Sequence, residues 1–324
     1  MLDTDIRLEW FVSFLAVIDT GSFVAAAEST RRSQPRVSQH VAALEREIGQ
    51  PLFDRKKRPV RLTEAGAALA VQARNVLHAL EEAESAMAPW RGGALGIVSL
   101  GSYPSVSAAF VPDLLRDLAD REPDIRVILS ERATLELDEA LIAGDVDLYL
   151  RPMLPRPASE SVNCLPLWRE PLVVVHAEGH PLDLVPDPVP LDEVAAHPIV
   201  SIGRLDAPET SEFETYQVFR DHGLAIEPVQ ATNQPQTLVS LVARGIGVGV
   251  TNWLAAHTAD TTGVRVRSLA GAPERGVAVC WDSTRPLTPA ARIVLKEISE
   301  RKVPEGTIRI PNKAGVRREV PRPR

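Results

Sequence analysis

The chain has few cysteines, few aromatic residues and no excess of positive charge. Its 324 residues include two cysteines and 5% aromatic side chains, and its formal net charge is -7. Cys164 and Cys280 lie far apart and match no metal-binding spacing or CxxC motif, so a cysteine metal site and a CxxC redox site are excluded. We expect two reduced, buried thiols. The negative charge argues against nucleic-acid binding over the whole surface.

Long apolar runs are also absent. No apolar stretch approaches the length needed to span a membrane, and the first ten residues, MLDTDIRLEW, lack the cationic start and apolar core of a secretory signal. We therefore expect a cytoplasmic protein. With 44% hydrophobic and 24% charged residues, the composition is that of a globular protein of two or three domains.

Positive charge is concentrated in one segment, residues 31–61. Acidic residues there are only Glu45, Glu47 and Asp54. The basic residues are Arg31, Arg32, Arg36, Arg46, Arg55, Lys56, Lys57, Arg58 and Arg61. A basic patch on an acidic chain is typical of a localised contact with phosphate groups.

The pattern of residues 21–48 predicts two short helices joined by a tight turn. Ser22 and Ser33 are preferred N-cap residues, and Pro35 is tolerated in a first helical turn. Apolar residues of the second helix recur at spacings of four, three and four, as a core-facing stripe requires: Val37, Val41, Leu44 and Ile48. The opposite face carries an amide, small residues and arginines: Pro35, Arg36, Gln39, Ala42, Ala43 and Arg46.

Two interpretations of that outer face remain open. Glutamine can contact adenine and arginine can contact guanine through paired hydrogen bonds, and small residues let a helix approach a surface closely. The alternative is an ordinary three-helix core with a polar outer face. On the first interpretation, the residues that contact DNA are Arg32, Ser33, Gln34, Pro35, Arg36, Ser38 and Gln39.

A basic hairpin, or wing, is predicted directly after these helices. Its apolar arms are Leu52-Phe53 and Val60-Arg61-Leu62, and its tip is cationic. A basic loop is usually just solvated, but one that follows a helix-turn-helix more often lies along a phosphate backbone. The residues predicted to hold the backbone are Arg55, Lys57, Arg58 and Arg61. We place the DNA-binding domain at residues 1–64.

A long helix follows, and we place it at residues 65–90. Its apolar residues alternate spacings of four and three, as in the seam of a coiled coil: Leu69, Ala73, Val76, Leu80, Ala83 and Met87. The pattern predicts a dimerisation helix. The alternative is a helix packed on its own domain.

Strand and helix patterns alternate from residue 94 to residue 302. This order predicts a mostly parallel sheet with helices on both faces. Within it we expect one helix over 106–120 and a strand over 172–176. Residues 303–324 are rich in proline and arginine, and we expect a basic, disordered tail.

These parts, in this order, resemble the LysR-type transcriptional regulators from about residue 8 to residue 300. The matching segments are GSF at 21–23, SQPRVS at 33–38, RLTEAG at 61–66, GDVDL at 144–148 and LVARGIGVG at 241–249. The resemblance implies a winged helix-turn-helix, a linker helix and a C-terminal α/β effector domain similar to periplasmic binding proteins. Lobe I of that domain would cover about 94–160 and 270–302, and lobe II about 161–269.

The resemblance also implies partners. It implies a homotetramer, built as a dimer of dimers, that binds a pseudo-palindromic promoter site in double-stranded DNA and contacts RNA polymerase. Four positions depart from the family's pattern. Thr30 and Arg32 stand where apolar residues are usual, so either the turn packs differently or Arg32 adds a phosphate contact. Gln39 stands where arginine is common, and Asn252 where proline is usual.

The effector is expected in the cleft between the lobes, where strands end and helix N-termini bind anions. By resemblance, Ser102 and Ser105 line this pocket. The full predicted set is Ser102, Ser105, Thr134, Ser201, Gly203, Arg204, Gln236 and Thr237. We expect a small organic anion. The alternative is that the serines and threonines are ordinary N-caps and that Arg204 is simply exposed.

No enzyme, metal site or cofactor site is predicted. The glycine-rich segment 245–249 follows a helix rather than a strand, so it fails the context of a dinucleotide loop. The histidines form no metal motif, and no Ser-His-Asp set can be assigned. The sequence predicts a sequence-specific DNA-binding transcriptional regulator that is modulated by a small molecule. The alternative is an α/β solute-binding or enzymatic protein whose helix-turn-helix serves protein contacts.

Overall fold

The computed structural model describes residues 6–54, 59–86, 96–157, 159–206 and 212–311. The chain divides into two compact units: the first holds Met1–Gly96, Glu139–Asp145 and Leu287–Ala290, and the second holds the remainder. In the described part of the chain, no single helix is both long and apolar enough to cross a membrane, although Leu8–Thr20 and Phe23–Ser29 pass that test as a bent pair.

The N-terminal part of the first unit, which we call the head, has the predicted helices and wing. Its elements are α1 (Leu8–Thr20), α2 (Phe23–Ser29), α3 (Gln34–Ile48), β1 (Phe53–Asp54), β2 (Arg61–Leu62) and α4 (Glu64–Ala86). Gly21 and Gly49 end α1 and α3 in the left-handed conformation, at φ 66° and 73°, which glycine adopts without strain. The antiparallel pair of β1 and β2 confirms the two arms of the wing.

The two predicted N-caps behave differently. The Ser22 hydroxyl oxygen accepts a hydrogen bond from the Val24 amide at 3.3 Å, so this cap is confirmed. Ser33 stands at the N-cap position of α3, but its side chain makes no capping hydrogen bond. Its hydroxyl is exposed at the start of α3.

The head has its own apolar core, and α4 contributes to it. Phe14 and Phe23 pack their rings against Phe53 of the wing, with ring centroids 5.3 and 5.7 Å apart. Ala70 and Ala73 of α4 are buried in the same cluster. The fully buried members from α1, α2, α3 and the residue before β1 are Phe14, Val17, Ala26, Val37, Val41, Leu44 and Leu52.

The rest of the described chain is a mixed α/β structure. Its helices are α5 (Pro104–Ala109), α6 (Val111–Arg121), α7 (Thr134–Ala143), α8 (Leu191–Ala195), α9 (Glu214–Asp221), α10 (Pro235–Ala243), α11 (Trp253–Thr258) and α12 (Pro289–Glu300). Its strands are β3 (Gly96–Ser102), β4 (Ile125–Glu131), β5 (Leu148–Pro152), β6 (Val162–Ala177), β7 (Ile199–Ser201), β8 (Pro228–Ala231), β9 (Val248–Asn252), β10 (Val264–Ser268), β11 (Glu274–Asp282) and β12 (Ile308–Arg309).

The strand order is β4-β3-β5-β11-β6-β9-β7-β8, with β10 and β12 also paired to β6. Strand β6 spans 16 residues and changes partner along its length. Its first part pairs with β11, from Val162 opposite Asp282 to Pro171 opposite Glu274. Its last part pairs with β9 and β10. This one strand therefore joins both halves of the sheet.

The structure corrects the predicted sheet. Parallel pairs are β3 with β5, β7 with β8 and β7 with β9, but every pairing of β6 is antiparallel, so a mostly parallel sheet is wrong. The strand predicted over 172–176 is only the end of β6. Strand β8 was not predicted, because its four residues carry no clear alternation.

The helix predicted over 106–120 is two helices. Helix α5 ends at Ala109, Phe110 leaves helical geometry at φ -122°, and α6 begins at Val111 with Pro112 in its first turn. Proline lacks an N–H group and clashes with the preceding turn, so it is accepted at a helix start but not in a helix interior.

The disordered tail predicted from residue 303 is wrong for residues 303–311. Strand β12 pairs with Arg169 and Trp168 of β6, and the Glu305 carbonyl oxygen accepts a hydrogen bond from the Trp253 indole at 3.3 Å. Residues 312–324 lie outside the described part of the chain.

The expectation of reduced thiols is also wrong, because Cys164 and Cys280 form a disulfide. They are direct partners in the antiparallel register of β6 and β11, with Cα atoms 4.1 Å apart. A pairing between residues 116 apart in sequence depends on strand register, which spacing along the chain does not reveal.

The packing of α4 against the head yields a stability prediction for Gly66→Ala. A Cβ at Gly66 would overlap the Leu52 carbonyl oxygen and lie 2.9 Å from Leu62 Cδ2. Overpacking costs about 1–3 kcal/mol, whereas alanine gains at most about 1 kcal/mol of helix propensity over glycine. We expect the steric cost to exceed the gain in helix propensity. Gly66→Ala should therefore lower the free energy of unfolding of the head by about 1–2 kcal/mol.

Hydrogen-exchange mass spectrometry on the full chain should then show faster exchange in peptides from residues 37–48, by roughly five- to thirtyfold. Ala68→Ser, at an exposed position on the same helix, is the control and should leave exchange unchanged. Equal or slower exchange in Gly66→Ala would show that the backbone can give way at this contact.

Candidate functional site

Helix α3 presents the predicted DNA-reading face to solvent. Val37, Val41 and Leu44 are fully buried on one side of the helix. On the other side, Gln34, Pro35, Arg36 and Gln39 are exposed and Ser38 is half-buried, with its hydroxyl oxygen 3.0 Å from Gln34 Nε2. The face is thus free of the head's own core and holds the residue types that read base edges.

Arg36 has a partner within the head. Its Nη2 atom lies 3.5 Å from Glu9 Oε2, and the two side chains are 59% and 32% exposed. An exposed pair of this kind contributes at most about 1 kcal/mol, so phosphate or a base edge can compete for the guanidinium.

Thr30 and Arg32, which stand where the family usually has apolar residues, make polar contacts within the head. Arg32 Nη1 donates to the Ser13 hydroxyl at 3.0 Å and to the Glu9 carbonyl oxygen at 3.3 Å. Thr30 Oγ1 donates to the Ala26 carbonyl oxygen at 2.6 Å. The turn is therefore held by polar contacts, and the structure favours altered packing over a phosphate contact through Arg32.

The wing is described only in part. Arg61 lies on β2 and is exposed, as a contact with phosphate requires. Arg55, Lys57 and Arg58 lie outside the described residues.

The predicted dimerisation seam on α4 divides into two parts. Leu69 and Ala73 pack in the core of the head, where they already have a partner. Val76 and Leu80 are 41% and 42% exposed, and Ala83 is also exposed. Met87 lies outside the described residues. The seam available to a second copy is therefore shorter than the six-residue pattern.

A narrow pocket lies in the second unit. The elements that form it are the turn between β3 and α5, the starts of α7 and α10, the end of β9 and one residue of β11. Its lining residues are Tyr103, Pro104, Ser105, Ala133, Thr134, Ile202, Phe213, Thr232, Asn233, Gln234, Pro235, Leu238, Thr251, Asn252, Ala255 and Arg275.

Of the eight predicted effector residues, the structure brings Ser105 and Thr134 to this pocket. Arg204 is instead exposed and pairs with Asp206 at 2.7 Å, and the Gln236 side-chain oxygen accepts from the Asp260 amide at 2.8 Å. Ser102 is buried and donates to the Tyr103 carbonyl oxygen at 3.4 Å. Ser201, Gly203 and Thr237 are also outside the lining set.

Sequence analysis missed the one charged residue of the lining, Arg275. Its Nε lies 2.8 Å from Glu170 Oε1, and the two side chains are 4% and 0% exposed. Its Nη2 donates to the Tyr103 hydroxyl at 3.1 Å. Losing one partner of such a buried pair is strongly destabilising, because the other charge is left without compensation.

Asn252 completes this network. Its Nδ2 donates to Glu170 Oε2 at 2.9 Å, and the Leu254 amide donates to the same oxygen at 3.0 Å. The proline that is usual at this position could not supply the side-chain donor. The departure from the family's pattern thus serves the buried carboxylate of Glu170.

Burial shapes the protonation of the groups around Arg275. It raises the pKa of the Tyr103 hydroxyl well above its ordinary value, so Tyr103 remains protonated. It also raises the pKa of Glu214 to about 7, although Arg275 opposes that shift. Thr251 lines the pocket, and its Oγ1 atom is buried and has no hydrogen-bond partner among the described residues. An unpartnered hydroxyl there can bond to a ligand.

Known family models match both the N-terminal and the C-terminal part of the chain. The family model described as "LysR substrate binding domain" matches residues 91–302, and the model described as "Bacterial regulatory helix-turn-helix protein, lysR family" matches residues 8–67.

Curated relatives agree with both matches. The regulator IlvR of Caulobacter vibrioides is 31% identical over 243 residues, which cover 74% of this chain and 80% of that protein. The transcriptional activator LysR of Escherichia coli is 29% identical over 263 residues, covering 81% of this chain and 82% of that one.

Solved structures share the fold. A variant of full-length OxyR from Pseudomonas aeruginosa has a TM-score of 0.67 at 23% identity and covers 93% of this chain and 100% of its own. Full-length CbnR in complex with its target DNA has a TM-score of 0.64 at 19% identity, covering 90% of this chain and 98% of its own. Because the family models match most of its length, the chain belongs to the LysR family of DNA-binding transcriptional regulators, with a helix-turn-helix head and an effector-binding domain.

Proposed function

We propose that this regulator reads DNA through the exposed face of α3 and responds to a small carboxylate bound in the pocket beside Arg275. The observation that carries the second part is the lining itself. It combines one arginine, an unpartnered buried hydroxyl at Thr251 and the N-termini of α7 and α10. Helix N-termini carry unpaired N–H groups and partial positive charge, both of which favour anions.

We further propose that the effector carries a single negative charge. Arg275 is the only charged residue of the described lining, and Glu170 already offsets it at 2.8 Å. A second carboxylate on the ligand would meet no further cation there. One carboxylate can be held by the arginine edge, the hydroxyls and the helix N-termini without leaving an unpaired buried charge.

DNA reading is divided between two surfaces in this proposal. Gln34, Arg36, Ser38 and Gln39 meet base edges or nearby phosphates, and Arg61 on the wing holds the flanking backbone. Support comes from the exposure of this face and from the compact head that fixes its orientation. A DNA partner also supports action in the cytoplasm. A regulator binds its pocket ligand without changing it chemically, whereas the enzymatic alternative requires turnover of that ligand.

Self-association completes the proposal. The exposed part of the α4 seam consists of Val76, Leu80 and Ala83. In this proposal it packs against a second copy of the chain. Pairing of two heads would match the two-fold symmetry of a pseudo-palindromic site. The tetramer and a contact with RNA polymerase follow from the family resemblance alone.

The division between base reading and backbone contact is tested by Gln39→Ala and Arg61→Ala. Loss of a paired base contact should cost about 1–3 kcal/mol on the preferred site and little on random DNA. Loss of a phosphate contact should weaken both and reduce the slope of log affinity against log salt by about one. Fluorescence anisotropy with a selected duplex and a scrambled duplex measures both effects. Equal losses on both duplexes for both variants would refute the division.

The effector site is tested by calorimetry with a panel of small aliphatic and aromatic monocarboxylates, dicarboxylates and neutral amides. We expect a monocarboxylate to bind better than its amide or the matching dicarboxylate. Thr251→Val should weaken binding of the monocarboxylate by about 1–2 kcal/mol without lowering protein stability, because the Thr251 hydroxyl has no hydrogen-bond partner among the described residues. Arg204→Ala is the control, since its side chain pairs with Asp206 outside the lining. If a neutral amide bound better than the matching carboxylate, the proposal that the effector is an anion would be refuted.

The exposed seam is tested by Leu80→Glu, which would place a charge in the proposed dimer contact. Sedimentation velocity should show a shift to a species of lower mass, because burying an unpaired carboxylate is costly. Gln72→Glu, on an exposed position of the same helix, adds the same charge and should leave the mass unchanged. Equal behaviour of the two variants would place the dimer contact elsewhere.

A further inference from the structure

A buried polar chain crosses the apolar core of the head beneath the recognition helix α3. Ser13 of α1 is 0% exposed and His40 of α3 is 7% exposed. The Ser13 hydroxyl lies 2.8 Å from His40 Nδ1 and also accepts a hydrogen bond from Arg32 at 3.0 Å. Most buried polar groups in folded proteins have a hydrogen-bond partner, and here Ser13 and His40 are partners of each other.

Ser13 links Arg32 to His40. Arginine can only donate, so the Ser13 oxygen accepts from Arg32, and the same hydroxyl is in hydrogen-bond contact with His40 Nδ1. Nε2 in turn faces Glu9 Oε1 at 3.9 Å.

Glu9 is shared between two residues that lie one turn apart on α3. Its Oε2 atom pairs with Arg36 at 3.5 Å, while Oε1 faces His40. Arg36 is exposed on the DNA-reading face, and His40 is buried behind it. The carboxylate of Glu9 thus connects an exposed side chain of the reading face to a titratable side chain in the core.

Burial, together with Arg32 and Arg36, favours the neutral form of the His40 imidazole in the free protein. Burial lowers the pKa of His40, Glu9 opposes that shift, and Arg32 and Arg36 add to it. These three are the charged groups that face His40 from α1, from the turn before α3 and from α3 itself. Ser13 is the uncharged partner.

We propose that His40 takes up a proton when Arg36 leaves Glu9 for DNA, so that DNA binding by α3 is coupled to protonation. Departure of Arg36 removes one cation from the neighbourhood of His40 and leaves Glu9 without its partner. Phosphates of the bound DNA add negative charge. All three changes favour the imidazolium, whose Nε2–H pairs with Glu9 and whose Nδ1–H donates to Ser13.

The sign of the effect follows from linkage. A proton taken up from solvent on binding makes the affinity for DNA rise as pH falls toward the lowered pKa of free His40. Uptake of one full proton is the upper limit and corresponds to about tenfold per pH unit. The inference rests on the proposed contact of Arg36 with DNA.

The experiment measures proton uptake directly. Calorimetric titration of the full-length protein with a duplex selected from genomic fragments is run at pH 7 in two buffers of different ionisation enthalpy, at constant salt. The wild-type protein is expected to take up a fraction of one proton more than His40→Gln does. Glutamine is close in size and can hydrogen-bond to Ser13. His257→Gln, at an exposed position in the second unit, is the matched control and should behave like the wild-type protein.

A second variant tests the link without altering the core. Glu9 is partly exposed, and Glu9→Gln removes the charge that Arg36 and His40 share. We expect tighter DNA binding above pH 7, because Arg36 is no longer held, and a flatter dependence of affinity on pH. Unchanged affinity and an unchanged pH profile would refute the shared role of Glu9.

Failure of the coupling is distinguishable from failure of the DNA contact. Equal proton uptake by His40→Gln and the wild-type protein, with weakened binding in Arg36→Ala, would refute the coupling and leave the contact standing. Unchanged binding in Arg36→Ala would refute the contact itself and with it the coupling.

Discussion

The pairing of β6 with two successive sets of partners is the constraint on which the effector domain depends. β11 accompanies β6 as far as Pro171, and β9 takes over from Leu172. Glu170 lies at this changeover, fully buried, so its carboxylate must find donors at once. Arg275 comes from β11, and Asn252 and the Leu254 amide come from the end of β9 and the start of α11. Arg275 and Asn252 also line the pocket, so the side chains that satisfy Glu170 at the junction of the sheet are part of the proposed effector site as well.

Local patterns were sufficient to predict the head. Helical spacing, the Ser22 cap and the apolar arms of the wing each depend on a few neighbouring residues, and the structure has the corresponding helices and strands. These local patterns did not show how far the core of the head extends along α4. A heptad pattern on α4 cannot show that Ala73 is used by its own domain while Leu80 is not, since the difference depends on what packs beside each residue.

Long-range pairing explains what the sequence did not reveal in the second unit. The length of β6, the disulfide and the Glu170–Arg275 pair all depend on the register between β6 and β11, whose residues are about a hundred positions apart. Of the polar residues expected at helix starts, Ser105 and Thr134 are among the residues that line the pocket. The residues expected at 236 and 237 are not, because α10 begins at Pro235 and the pocket is lined there by Thr232, Asn233 and Gln234.

The short strand β12 has a practical consequence for anyone who shortens this chain or fuses it to another protein. It covers the edge of β6 at Trp168 and Arg169, and the residues before it accept the indole hydrogen of Trp253. A chain cut at the end of α12 would expose that strand edge, and bare edges pair readily with other copies and aggregate. A fusion joined after residue 311 would keep this edge of β6 covered.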